Sequence, residues 1–330
     1  EQIGLVIFSR SFKPVVPTKD AEGRIASLVL PLDGLDSEAG RNLLSSFETL
    51  EDEQWLHIHG LSRGHPLVLE LINRGASAGA FHETLENYVS VEIFSKLSAR
   101  QKQVLTCLAI FREPVKLEAL AAQGLDTDEL DSLVEQGLAR DVDTETYDLH
   151  DLIREFLLRS LDEETRKEVH NKCCEWYRSL KATPDVSIEL IFHLTKCDCG
   201  EEAADLVVDQ GREIVSQGHM ELLGLIESIP EQNLNNNIKT KLYQLRGEVL
   251  VLLGRFAEAK EILQQTNTFA EASGLTIVEA EVLSALADIA LKQGQSDDAL
   301  SMHRDALEKF IELDDAKGAA RSYNNMGYLL

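Results

Sequence analysis

Segments near the C-terminal end of this chain repeat one another at a spacing of 40 residues. Tyr243, Leu283 and Tyr323 stand at that offset, as do Gly247, Ala287 and Gly327. Gly254 matches Gly294, and Ala259 matches Ala299. Self-similarity at a fixed period of about 20–50 residues marks stacked supersecondary units, each burying its apolar face against the next. Small residues at these places let the two helices of one unit approach closely. The large apolar residues beside them fill the gap to the next pair. From about residue 165 onward every segment reads as amphipathic helix, punctuated by Gly200, Gly211, Gly218, Pro230, Gly254, Gly274, Gly294 and Gly318.

Upstream of the array the rhythm changes. Residues 97–160 predict a winged helix: helices from about Ala99 to Phe111, Lys116 to Ala122 and Thr127 to Gln136, a turn at Gly137, and an alternating wing from Leu138 to Leu149. In DNA-binding versions the third helix enters the major groove. Here it carries Asp128, Glu129, Asp131 and Glu135 with no Lys or Arg, so phosphate repulsion opposes insertion. The wing runs into Tyr147-Asp148-Leu149-His150-Asp151-Leu152, where a histidine–aspartate pair opens the next helix.

The first third is less regular. Ile3 to Phe8 is a short continuous apolar run, the pattern of a buried parallel strand. It ends at Ser9-Arg10, placing a guanidinium where α/β sheets bind ligands. A second β-rich run spans Ile25 to Leu32, and two strands do not make a stable sheet alone. Asp36-Ser37-Glu38-Ala39 is a helix start with carboxylates in the first turn. Short helices are expected from about 36 to 92, interrupted by Gly64-His65-Pro66-Leu67, where Pro66 suits a first turn. The chain begins without Met in a strand-like run and stops inside a helical pattern, so it is expected to be a fragment cut at both ends.

Composition excludes several classes. The 330 residues carry a net charge of −25, with 44% hydrophobic and 27% charged residues. Such a balance opposes gripping nucleic acid or an anionic membrane. No apolar run approaches the roughly 18 residues of a membrane span, and no basic-led secretory signal is present. The five cysteines, an odd number in a long chain, fit a reducing cytoplasm. His170 with Cys173 and Cys174, and His193 with Cys197 and Cys199, invite a zinc reading. Adjacent cysteines and Cys-x-Cys fit zinc spacing poorly, and buried free thiols are the better account. Gly-x-Ser-x-Gly and His-Glu-x-x-His are absent.

The repeats resemble the tetratricopeptide class: Leu242 to Leu253 followed by Gly254-Arg255-Phe256-Ala257-Glu258-Ala259, and Leu283 to Lys292 followed by Gly294 to Ala299, match its helix–turn–helix pattern. The period exceeds the usual 34 residues, which implies a longer second helix or loop. The upstream part resembles the C-terminal region of STAND-class P-loop ATPases, the signalling relatives of AAA proteins. Ile7-Phe8-Ser9-Arg10 looks like the strand ending in the sensor arginine, which in that family reaches the terminal phosphate. Gly64-His65-Pro66-Leu67 looks like the Gly-x-Pro motif, whose proline packs near adenine. Leu149-His150-Asp151 looks like the Met-His-Asp motif, with Leu149 in place of methionine, whose histidine contacts the ADP phosphate and helps hold the inactive form. The resemblance covers essentially the whole chain.

The resemblance implies a mainly α fold with a small α/β remnant: a helical lid, a winged helix, then an α-solenoid of tetratricopeptide-like repeats. It divides the chain at 1–32 (last strands of an ATPase core), 33–94 (lid), 95–162 (winged helix), 163–236 (helical linker and divergent repeats) and 237–330 (repeats). Implied ligands are ATP or ADP with Mg²⁺ in a longer protein, held here through Arg10, Gly64, Pro66 and His150. Implied partners are proteins bound by the repeats and copies of the chain on activation. No Gly-x-x-x-x-Gly-Lys-Ser/Thr occurs, and no acidic Mg²⁺ strand does, so this chain alone is not expected to hydrolyse ATP. Each nucleotide-site residue has a plainer reading beside the functional one: a surface arginine, a helix-starting proline, a helix-start histidine. An alternative function is a winged-helix and repeat scaffold without nucleotide chemistry.

Overall fold

The computed structural model describes residues 34–44, 52–62, 64, 66, 68–69, 94–125 and 128–329. Both strand-like runs of the first 32 residues, and Arg10 with them, lie outside the described residues. The fold is mainly α with a small three-stranded sheet. It divides into two compact units, Glu1–Leu97 and Ser98–Leu330.

In the first unit, α1 (Ser37–Leu43) starts as its sequence dictates: the Asp36 side chain accepts from the Ala39 N–H at 2.8 Å. This satisfies one of the donors that a helix start leaves open. Helix α2 (Asp52–Ser62) packs on it through buried Trp55, whose indole N–H donates to Ser37 Oγ at 2.7 Å.

The second unit opens with a reciprocal cap. Ser98 Oγ accepts from the Gln101 N–H, and Gln101 Oε1 accepts from the Ser98 N–H, both at 3.0 Å. There follow α3 (Ala99–Ile110), β1 (Val115–Lys116), α4 (Leu117–Ala122), α5 (Asp128–Glu135), β2 (Ala139–Asp143) and β3 (Thr146–Leu149). The strands are antiparallel in the order β1-β3-β2, with Val115 opposite Tyr147 and Ala139 opposite Leu149. Leu105, Leu108, Leu120, Leu130, Leu133, Leu138 and Leu149 are fully buried in the described residues of this unit. The three helices sit within a residue or two of their sequence positions. Strand β1 is new, and Lys116 belongs to it as well as preceding α4.

Helices α6 (Asp151–Ser160), α7 (Glu163–Ser179), α8 (Pro184–Lys196), α9 (Gly200–Ser216) and α10 (Leu222–Ser228) lead to the repeats. Pro184 sits in the first turn of α8, preceded by the Thr183 cap, where its missing N–H costs nothing.

The repeats are α11 (Asn236–Leu252), α12 (Phe256–Ser273), α13 (Thr276–Lys292), α14 (Ser296–Glu312) and α15 (Ala316–Gly327). Their starts fall 20 residues apart, so the 40-residue unit is two helices of equal span. The extra length over the usual unit is thus shared by both helices, not placed in the second helix or a loop. The first four of these helices stop the same way. Gly254, Gly274, Gly294 and Asp314 adopt left-handed backbone at φ 72°, 65°, 78° and 56°. The next residue's N–H reaches back to a carbonyl of the last turn, as in Arg255 to Leu250 and Leu275 to Ala270 at 2.9 Å. This double-bonded stop satisfies carbonyls that would otherwise be orphaned, and it favours glycine at the left-handed position.

Gly211 and Gly318 do not punctuate. They lie inside α9 and α15, where a Cβ would meet Leu245 or Phe310 at 2.3 Å. They are glycines because another helix's side chain occupies the space. Gly247 has the same role: a Cβ there would lie 2.5 Å from Leu263.

Candidate functional site

The end of β3 carries a densely bonded polar site in the second unit. Asp148 on β3 is buried and accepts from Arg140 Nη2 and Arg154 Nη2, each at 2.5 Å, and from the Leu149 N–H at 2.8 Å. Burial pushes its carboxyl up, but the Arg140 bond, the Leu149 N–H and the Arg154 charge outweigh it and hold it below the usual carboxylate range. Arg154 Nη1 donates to Leu108 O at 2.8 Å, to Ala109 O at 3.0 Å and to Phe111 O. One guanidinium thereby caps the C-terminal carbonyls of α3 and fixes the start of α6.

His150 lies between these anchors. It is the N-cap residue of α6, in extended backbone, half-buried, and its side chain makes no cap bond to the first turn. Asp151 follows as an exposed first-turn carboxylate. The histidine is therefore held at a helix N-terminus, a place that favours anions, by neighbours that are themselves locked.

In the first unit, Gly64 is buried at φ 68°, its carbonyl accepts from the Leu35 N–H at 2.7 Å, and a Cβ would strike Leu35 O at 2.1 Å. The position is closed to any other residue. Pro66 is helical and exposed. Arg10 lies outside the described residues.

A second polar site joins the first helices of successive hairpins. Arg212 on α9 forks onto two carboxylates: Glu248 on α11 at 2.8 and 3.0 Å, and Glu281 on α13 at 2.7 and 3.0 Å. Gln244 donates to the same two groups at 2.9 and 2.6 Å. Burial pulls Arg212 down, yet its bonds to Glu248 and Glu281 hold it above its ordinary range. One period on, Asp288 stands where Glu248 stood; Asn325 Nδ2 donates to it at 3.3 Å and His303 Nε2 is 3.6 Å away. Burial raises its carboxyl. The 40-residue offset already equated Glu248 with Asp288, so this acidic position was findable from sequence. Its partner Arg212 was not, because it precedes the repeat.

The histidines and cysteines do assemble, but in pairs. His170 Nδ1 and His193 Nδ1 are 2.8 Å apart, and Cys174 Sγ and Cys197 Sγ 3.8 Å apart. Among the described residues no three His, Cys, Asp or Glu are placed to hold a metal ion. Four of the five cysteines are buried and all are free thiols. A cleft of about 360 Å³ lies beside Cys107, lined by Lys102, Gln123 and Lys172 among others. Among the described residues no helix is long and apolar enough to cross a membrane.

No protein-family model matches the chain, and no curated protein matches it. Among solved structures it is similar to a Signal Transduction ATPase with Numerous Domains (STAND) protein with a tetratricopeptide repeat sensor, PH0952 from Pyrococcus horikoshii. The identity is 20%, the TM-score 0.44, and the match covers 90% of this chain and 57% of that one. It is also similar to BtubC (BKLC) from P. vanneervenii, at 22% identity and TM-score 0.31, covering 52% of this chain and 66% of that one. The chain spans little more than half the length of the first of these proteins.

Proposed function

We propose that this chain is the regulatory part of an ATP/ADP-switched signalling ATPase of the STAND class. Its repeats sense a protein or ligand and relay that event to a nucleotide-gated switch. The observation that carries the reading is the setting of His150: a half-buried histidine at the N-terminus of α6, directly after β3, beside the Asp148–Arg154 anchor. A histidine there can donate to a phosphate oxygen while the helix dipole favours the anion. Gly64 and Pro66 would adjoin the base, and Arg10 the terminal phosphate. The Mg²⁺ site would lie in residues that this sequence does not contain.

Partner binding on the repeats would release the winged unit from bound ADP, and exchange for ATP would permit assembly with further copies. This is a population shift between closed and open forms. Transcription regulation or defence would be the setting, in the cytoplasm. The winged unit itself is not a DNA reader on this account: Asp128, Glu129 and Asp131 crowd the first turn of α5, against phosphate. The test is the rate at which the intact protein releases a fluorescent ADP. His150→Ala should speed release about tenfold or more, the equivalent of one charge-assisted hydrogen bond, while Asp151→Asn changes it little. An unchanged rate removes His150 from the switch.

The alternative is an interaction scaffold with no nucleotide chemistry. It is favoured by the Arg212 cluster, which braces a continuous face across α9, α11 and α13. An intact protein that binds no nucleotide but binds protein through that face would establish it.

A further inference from the structure

Five cysteines in a mainly helical chain look inert until their positions are compared. Cys107 and Cys173 share Gln123: Cys107 Sγ donates to Gln123 Oε1 at 3.3 Å, and Gln123 Nε2 donates to Cys173 Sγ at 3.7 Å. Burial pushes Cys107 up to about 12 and raises Cys173 as well. These two stay protonated, and a thiol is a poor nucleophile.

The other three lie together at the turn between α8 and α9. Cys174 is on α7 and fully buried; Cys197 is the C-cap residue of α8; Cys199 is the N-cap residue of α9. Asp198 between them takes left-handed backbone at φ 59°, an unfavourable choice for a residue with a Cβ. It is tied to α7 by Lys167 Nζ at 2.7 Å. Cys199 Sγ donates to Cys197 O at 3.5 Å. The Cys174 and Cys197 sulfurs are 3.8 Å apart across the α7–α8 interface. A disulfide needs about 2.05 Å, so the sulfurs must close by about 2 Å, a distance that side-chain rotation and one turn can supply.

The geometry points to Cys174 and Cys197 as a reversible thiol–disulfide modification site, oxidised by small hydroperoxides, that fastens α7 to the α8–α9 turn. The hydrogen bond with Cys174 holds Cys197 low, despite burial, with help from Cys199 and the nearby Arg178 charge. Cys197 is also the less enclosed of the pair. Its thiolate sulfur attacks the hydroperoxide: an S–O bond forms and the O–O bond breaks. The departing oxygen takes a proton to leave as alcohol or water, and the sulfur becomes a sulfenic acid. The Cys174 sulfur then attacks the Cys197 sulfur. The S–S bond forms, the S–O bond breaks, and the Cys174 proton leaves with the hydroxyl as water. Two electrons have passed from the two thiols to the peroxide, and a dithiol returns them by exchange.

The link would close a 23-residue separation at the hairpin that joins the winged unit to the repeats. It does not depend on the nucleotide reading.

The test treats the purified full chain with hydrogen peroxide, blocks free thiols, digests without reductant and maps the cross-link by mass spectrometry. The expected result is loss of two of the five free thiols and one link between the peptide holding Cys173 and Cys174 and the peptide holding Cys197 and Cys199. Dithiothreitol should reverse it. The link should persist in Cys173→Ser and in Cys199→Ser, which is half-exposed and tolerates the change, and vanish in Cys174→Ser. In the wild type, oxidation should raise Tm by about 3 °C or more, as expected of a closed loop of this size. No link after peroxide, a link lost in Cys199→Ser or Cys173→Ser, or a Cys197–Cys199 bridge would each overturn the assignment.

Discussion

His170 and His193 share one hydrogen bond between their Nδ1 atoms, 2.8 Å long and buried between α7 and α8. One ring must donate and the other accept, so the pair is stable only with the accepting nitrogen deprotonated. Burial lowers both, helped at His170 by the Lys196 and Arg166 charges; His170 falls from 6.5 to about 4, and His193 also lies well below 6.5. Between pH 6.5 and 4 the unfolded chain therefore binds a proton that the folded one refuses. Stability is complete above the unfolded value and drops as pH falls toward 4. We predict a loss of about 3 kcal/mol from His170 over that window, read as denaturant midpoints against pH. His170→Asn, whose amide still donates, should flatten the slope; an unchanged slope contradicts this.

Arg154 joins α3, β3 and α6 through one side chain. Replacing it with Met strands the Asp148 carboxylate and several carbonyls. The expected cost is about 3–5 kcal/mol, visible as early melting of the region from α3 to α6. Asp148→Asn should cost less, because the amide oxygen still accepts from one arginine. If both variants melt like the wild type, the anchor is not structural.

Two glycine substitutions should have opposite signs. Gly247→Ala drives a Cβ to 2.5 Å from Leu263, itself fully buried, and should destabilise by about 1–3 kcal/mol. Gly224→Ala, in α10 with open space around it, should stabilise by up to about 1 kcal/mol. Equal melting temperatures for the two variants would refute the packing role of Gly247.

Arg212→Lys should not replace Arg212. An ammonium offers a point charge where the fork meets two carboxylates on different helices. With Arg212 itself more than half exposed, the expected loss is only about 1 kcal/mol. It should shrink in high salt, and circular dichroism melts at two ionic strengths check it.

Much of this was legible in the sequence, for identifiable reasons. The helices near Ala99, Leu117 and Asp128 and the Asp36 cap follow from local periodicity and capping chemistry. Gly254 and Gly294 marked the repeat because a left-handed helix stop favours glycine. Asp314 hid the next stop by performing the same task with a different residue. Gly211 and Gly318 misled for the complementary reason: a glycine cut to fit a neighbouring helix looks, in sequence, like a helix end. Strand β1 is two residues long, too short for alternation to register. The His170–His193, Cys174–Cys197 and Arg212–Glu281 pairs are separated by 23, 23 and 69 residues, and no local pattern announces a tertiary contact. Gly64 and His150 were singled out by motif; the left-handed backbone at 64 explains the glycine, whereas the extended backbone at 150 suits any residue.

The measurement that bears most directly on the account is amide hydrogen exchange of the intact protein with and without ADP. Binding at His150 should slow exchange across 149–154, the end of β3 and the first turn of α6, with β2 little changed. The same protection should be lost in His150→Ala. Tight ADP binding that leaves 149–154 untouched would contradict the proposed switch, as would an intact protein that binds no nucleotide.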